Sequence, residues 1–78
     1  MTKSVFIQKL SEALMENASK IQPDTQLTSL SGWDSMGKVA FLSFLDEEFG
    51  YQPPHGALDQ SQKVSDLMTL VKSNLQED

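Results

Sequence analysis

The sequence predicts an all-α fold, a small four-helix bundle with three longer helices, one short helix and a long loop after the first. Two observations point to it. Apolar residues recur at three- and four-residue spacing in three separate stretches, and segments rich in proline, glycine and small polar residues separate those stretches. A third observation sets the scale: 78 residues without a cysteine make one domain, spanning 1–78, with a modest hydrophobic core and no disulfide scaffold.

The first stretch runs from Ser4 to about Asn17. Phe6, Ile7, Leu10, Ala13 and Leu14 line one face, with Lys9, Glu12 and Glu16 between them. This is the pattern of an amphipathic helix. Thr2 or Ser4 can cap it, and the polar run Asn17-Ala18-Ser19-Lys20 releases it. The next fifteen or so residues, Ser19 to Asp34, exceed the usual length of a structureless connection, so the loop must be pinned. Ile21, Pro23, Leu27 and Leu30 are the expected pins, separated by the turn-forming Asp24-Thr25-Gln26 and Thr28-Ser29.

The loop ends in Gly32-Trp33-Asp34-Ser35. Gly32 permits backbone angles other residues resist, and Asp34 is a good N-cap. Ser35 then falls at or next to the first position of a helix that runs through Phe49 and stops at Gly50. Projected at 3.6 residues per turn, Phe41, Leu42, Leu45 and Phe49 form its inner face, with Phe44 at the edge. Met36, Val39, Ala40, Ser43, Asp46 and Glu47 form the opposite side, an apolar strip bordered by carboxylates. Such a strip beside an exposed hydroxyl reads either as a docking surface or as packing against the preceding loop.

Gly50-Tyr51-Gln52-Pro53-Pro54-His55-Gly56 breaks regular structure. Ala57-Leu58-Asp59 allows one short helical turn. From Ser61 or Lys63 to Leu75, the residues Val64, Leu67, Met68, Val71 and Leu75 predict the last helix, and the polar Gln76-Glu77-Asp78 should fray. The expected core is Phe6, Leu10, Leu14, Leu27, Phe41, Leu45, Phe49, Val64, Leu67 and Val71.

Composition removes several function classes. A chain this short has little room for a catalytic cleft. Without cysteine there is no thiolate nucleophile or thiolate metal site, and the one histidine, His55, cannot close a zinc shell. His55 as a base for Ser35, with Asp34 completing a triad, is outweighed by its reading as a surface residue on a breaker segment. A net charge of −5 argues against nucleic acid and suits partners with basic patches. The amino terminus lacks the apolar run of a signal peptide, and no stretch suits membrane insertion. A cytoplasmic, freestanding monomer is expected.

Ser35 is left as the one candidate site. Asp34 and Ser35 are also ordinary capping residues, so the tripeptide alone says little. Its context says more. Asp34-Ser35-Met36, followed by an amphipathic helix with the acidic end Asp46-Glu47-Glu48-Phe49, resembles the acyl carrier proteins, and the resemblance covers essentially the whole chain. It implies that Ser35 is esterified by 4'-phosphopantetheine from coenzyme A, and that the arm's thiol holds acyl groups as thioesters. It also implies a carrier without catalysis of its own, modified by a Mg²⁺-dependent phosphopantetheinyl transferase and visited by acyl-loading and acyl-processing enzymes. Asp34, Met36, Val39, Ala40, Asp46 and Glu47 are the docking residues this implies. Leu27 and Leu30 match the loop leucine that packs under the second helix, and Ala57-Leu58-Asp59 matches the short third helix.

The chain departs from fatty-acid carriers two and five positions after the serine, where Gly37 and Ala40 replace acidic residues and Lys38 is added. A dedicated fatty-acid, polyketide or other specialised pathway is implied. Lys38 reads as a solvated side chain or as one lying against the cofactor phosphate. Carriers of the family it resembles can shelter an acyl chain between helices; Phe41 and Phe44 would fill that space, so a short or polar acyl or aminoacyl group is expected. A peptidyl carrier of the same fold is one rival, although those typically place Gly-Gly before the Asp/His-Ser pair where this chain has Trp33. A helical adaptor with no cofactor is the other.

Overall fold

The computed structural model describes residues 1–54 and 56–76; the expectations for His55 and for the frayed ends Glu77 and Asp78 lie outside the described residues. There are four α-helices, α1 (Lys3–Leu14), α2 (Ser35–Phe49), α3 (Ala57–Gln60) and α4 (Val64–Leu70), with 3₁₀ turns at Ala18–Lys20 and Leu27–Ser29 between α1 and α2 and at Lys72–Asn74 after α4. The described residues contain no strand, only isolated bridges between Thr2 and Gln76 and between Gln26 and Lys63. The expected all-helical bundle is therefore the observed fold.

Thr2 caps α1, its hydroxyl accepting the Val5 amide at 3.2 Å. The helix stops at Leu14, short of the expected Asn17, because Met15 takes a left-handed conformation (φ 57°, ψ 38°). The Glu16 amide then donates back to the Ser11 carbonyl at 2.9 Å, the closing bond of a Schellman turn. This early stop turns Glu16 out of the helix and toward the loop before α2.

α1 and α2 pack through interlocking rings. Phe6 meets Phe41 edge-on at 6.1 Å between centroids and Phe44 at 5.6 Å. Nine of the ten expected core residues are buried, and Ile21, Leu30, Phe44, Leu58 and Met68 join them. Two details of α2 differ from the helical projection. Phe44 is buried rather than at the edge, while Phe49 and Leu42 are only half-buried against the core. The buried line is Gly37, Phe41, Phe44 and Leu45, so the helix is rotated to bring Gly37 inward. Its end is as expected: Gly50 is left-handed (φ 60°), and its amide donates to the Asp46 carbonyl at 2.9 Å.

The long loop is pinned by Ile21, Leu27 and Leu30, all buried, but the Pro23 side chain is exposed. Pro23 acts through its backbone instead. Its carbonyl accepts the Ser65 amide at 2.8 Å, the Thr25 carbonyl accepts the Val64 amide at 3.0 Å, and the Leu27 amide donates to Gln62 at 2.8 Å. Lys63 offers no capping oxygen, so the loop satisfies the first amides of α4. The Asp66 carboxylate adds bonds from the Gln62 and Lys63 amides at 2.9 and 3.0 Å, which lower its pKa.

α4 is shorter than expected, ending at Leu70 rather than Leu75. Val71 leaves helical geometry (φ −120°, ψ 27°) and a 3₁₀ turn follows. β-branched Val71 followed by Ser73 and Asn74 propagates a helix poorly. The change of direction lets Gln76 pair with the amino-terminal residues. Its amide donates to Met1 at 2.9 Å and its carbonyl accepts from Lys3 at 3.2 Å, so Gln76 is held rather than frayed.

Candidate functional site

Ser35 is the first residue of α2, and its side chain is exposed. Asp34 is extended (φ −121°, ψ −168°), and its carboxylate accepts the Gly37 amide at 2.8 Å. The Asp34 carbonyl accepts the Lys38 amide at 2.9 Å, the first bond of the helical ladder. The hydroxyl thus stands where first-turn amides and the macrodipole favour negative charge.

The head of α2 is fixed by two glycines. A Cβ on Gly32 would overlap the carbonyl oxygen of Leu14, and a Cβ on Gly37 would overlap the carbonyl oxygen of Gly32. The end of α1, the loop and the first turn of α2 are therefore stacked at backbone distance. Gly32 is required for this close approach, not for an unusual backbone angle, since it is not among the positive-φ glycines. Gly37, read above only as a missing acidic residue, is a packing position.

Glu16 locks the stack from the side. Its carboxylate accepts the Ser31 hydroxyl at 2.8 Å and the Gly32 amide at 2.9 Å. These bonds, first that of Gly32 and then that of Ser31, hold its pKa below the ordinary carboxylate value. The helical periodicity of Glu16 in the sequence concealed this role; an acid following the last apolar position of a helix was the available signal.

Trp33 lies half-buried against Phe41, at 6.0 Å between ring centroids. The Lys38 ammonium sits 5.9 Å from the Trp33 ring centroid and pairs with Asp59 of α3 at 3.1 Å. Lys38 is accordingly neither a free solvated side chain nor an isolated one. Together with Leu42, Gln52, Pro53, Leu58 and Asp59 it borders an open cleft of about 380 Å³ between α2 and α3.

The other implied residues run down the outer side of α2. Met36 is 81% and Val39 63% exposed. Ser43, Asp46 and Glu47 are exposed, whereas Ala40 is half-buried. Glu48 differs from its acidic neighbours in pairing with Lys9 of α1 at 3.4 Å. One surface thus carries Ser35, two exposed apolar side chains and two carboxylates. Among the described residues no group of three His, Cys, Asp or Glu side chains could hold a metal, and no helix is long and apolar enough to cross a membrane.

Ser35 thus stands exposed at the head of the second helix of a small all-helical fold. The family model described as the highly reducing polyketide synthase sdgA, C-terminal ACP domain, matches residues 1–78, and the chain belongs to this acyl carrier family. No curated protein and no solved structure matches it significantly.

Proposed function

We propose that the chain carries acyl groups as thioesters on a 4'-phosphopantetheine arm attached to Ser35, in a specialised biosynthetic pathway of polyketide type. The observation that carries this reading is the placement of Ser35, an exposed hydroxyl at the first position of α2, on a backbone stack too tight for a Cβ at Gly32 or Gly37. The residues fit the group. The first-turn amides of α2 favour an anionic phosphodiester on Ser35, the Lys38 cation lies one turn further on, and no protein thiol competes because the chain has no cysteine.

Attachment is a phosphoryl transfer performed by a separate transferase. The Ser35 oxygen forms a bond to phosphorus as the pyrophosphate bond of coenzyme A breaks. The hydroxyl proton passes to the transferase's base, and adenosine 3',5'-bisphosphate leaves. The enzyme and its Mg²⁺ supply the catalysis, while this chain supplies an accessible, fixed nucleophile. The arm contributes the thiol that bears the acyl group. Tethering raises the effective concentration of that group at each partner's active site.

Met36, Val39, Asp46 and Glu47 are the surface we assign to partner docking, with Asp34 and Ala40 at its margins. Exposed apolar side chains beside carboxylates suit brief, steered contact with enzymes bearing basic patches. A cytoplasmic monomer suits this traffic. The test is labelling with a fluorescent coenzyme A conjugate and a broad-specificity transferase, followed by peptide mapping. Label on the peptide containing Ser35 supports the reading; label on another residue contradicts it.

A further inference from the structure

Lys38 is the fourth residue of α2, where a cation opposes the helix dipole. Two groups hold it there, the Trp33 ring at 5.9 Å and the Asp59 carboxylate at 3.1 Å. The pair with Asp59 is, among the described residues, the one ion pair joining α2 to α3. The Asp59 side chain is 75% exposed and that of Lys38 34%, so the pair is weak and readily exchanged. α3 itself is one turn long, has no side-chain N-cap, and is anchored in the core by Leu58 alone.

Lys38 and Ser35 stand three residues apart on the same helix, a spacing at which side chains are neighbours. A phosphodiester on Ser35 would place a strong anionic acceptor next to the ammonium, and charge-assisted bonds to phosphate oxygens are among the stronger polar contacts. Resting on the attachment of phosphopantetheine to Ser35, we propose that Lys38 is an exchangeable clasp. In the unmodified chain its ammonium fastens α3 to α2 through Asp59. In the modified chain the ammonium turns to the phosphodiester, releasing Asp59 and loosening α3 over the α2–α3 cleft. Attachment of the arm then opens the cleft beside it.

The amides of Ala57, Gln60 and Ser61, bonded to Pro54, Gly56 and Leu58 at 3.0, 3.2 and 3.2 Å, report the state of α3. Their hydrogen exchange would be compared in the 78-residue chain before and after modification with coenzyme A, in the wild type, Lys38→Gln and Asp59→Asn. Intact mass would establish first that each sample is fully modified. The clasp predicts that modification speeds exchange in the wild type by about two- to fivefold, the range expected for losing an exposed ion pair. Each variant should exchange at the faster rate already when unmodified, with no further change on modification. Equal rates in unmodified and modified wild type, or variants that respond as the wild type does, would overturn the clasp and leave the attachment reading standing. Failure of the wild type to gain mass would remove both.

Discussion

The Glu16 carboxylate accepts the backbone amide of Gly32 at 2.9 Å, tying the second residue past α1 to the loop that delivers Ser35. With the Ser31 hydroxyl at 2.8 Å it makes a two-point hold on a segment that has no α-helix of its own. Glu16→Ala should lower the melting temperature at neutral pH and slow modification of Ser35, because the loop before α2 loses its side anchor. Thermal melts and transferase kinetics on one sample would check both effects.

The same contact predicts an acid dependence. The folded-state pKa of Glu16 lies below its ordinary value of 4.5, chiefly through the Gly32 amide. Its stabilising contribution is therefore complete above that value and is lost as pH falls through the lower folded-state pKa. The melting-temperature gap between the wild type and Glu16→Ala should be constant from neutral pH down to about 5 and should shrink below that. Asp66 is shifted in the same direction by the Gln62 and Lys63 amides, but it is present in both proteins, so the difference isolates Glu16.

At an ordinary helical position Gly→Ala stabilises by about 1 kcal/mol. Gly37→Ala should do the reverse, because its Cβ would overlap the Gly32 carbonyl oxygen, a backbone atom that cannot swing aside. We expect a loss of about 1–3 kcal/mol in chemical denaturation. A stabilised variant would show that α2 does not lie against the loop as described.

Met15→Gly should raise stability. Met15 is left-handed and 92% exposed, so it contributes strain of about 1–2 kcal/mol and little packing. Glycine removes that strain but adds about 0.5–1 kcal/mol of unfolded-state entropy. The net gain should be about 0.5–1 kcal/mol, or a few degrees in a melt of a domain this size.

Val39→Asp tests the outer surface of α2. At 63% exposure the change should leave stability within about 0.5 kcal/mol. If the strip docks partners, kcat/KM for modification by the transferase should fall on the order of tenfold, equivalent to about 1.4 kcal/mol. Unchanged kinetics would leave Val39 outside that interface.

The head of α2 was legible in the sequence because its signals are local. Asp34 caps, Ser35 begins the helix and Gly50 ends it as residue type alone dictates. The apolar periodicity of α1 and α4 likewise identified the buried faces. What escaped were features set by contacts distant in sequence. Gly37 is small because Gly32 and Leu14 lie over it, and that approach also rotated α2 so that Phe44 entered the core while Phe49 stayed at its margin. Pro23 acts through its carbonyl on Ser65, which no side-chain pattern encodes. The early ends of α1 and α4 follow from what comes next, the reach of Glu16 to Gly32 and the return of Gln76 to the amino terminus. Lys38 could be placed near Ser35 by counting, but its partner Asp59 lies 21 residues away, on another helix.

The central claim, that Ser35 bears the arm, is tested most directly by intact-protein mass spectrometry after incubation with coenzyme A, Mg²⁺ and a broad-specificity phosphopantetheinyl transferase. Wild type and Ser35→Ala should be compared, with circular dichroism showing that both are folded. The account predicts one phosphopantetheine increment on the wild type and none on Ser35→Ala, whose stability should be unchanged within about 0.5 kcal/mol. A folded wild type that gains no mass beside a transferase that modifies a control carrier, or an increment that persists in Ser35→Ala, would contradict it.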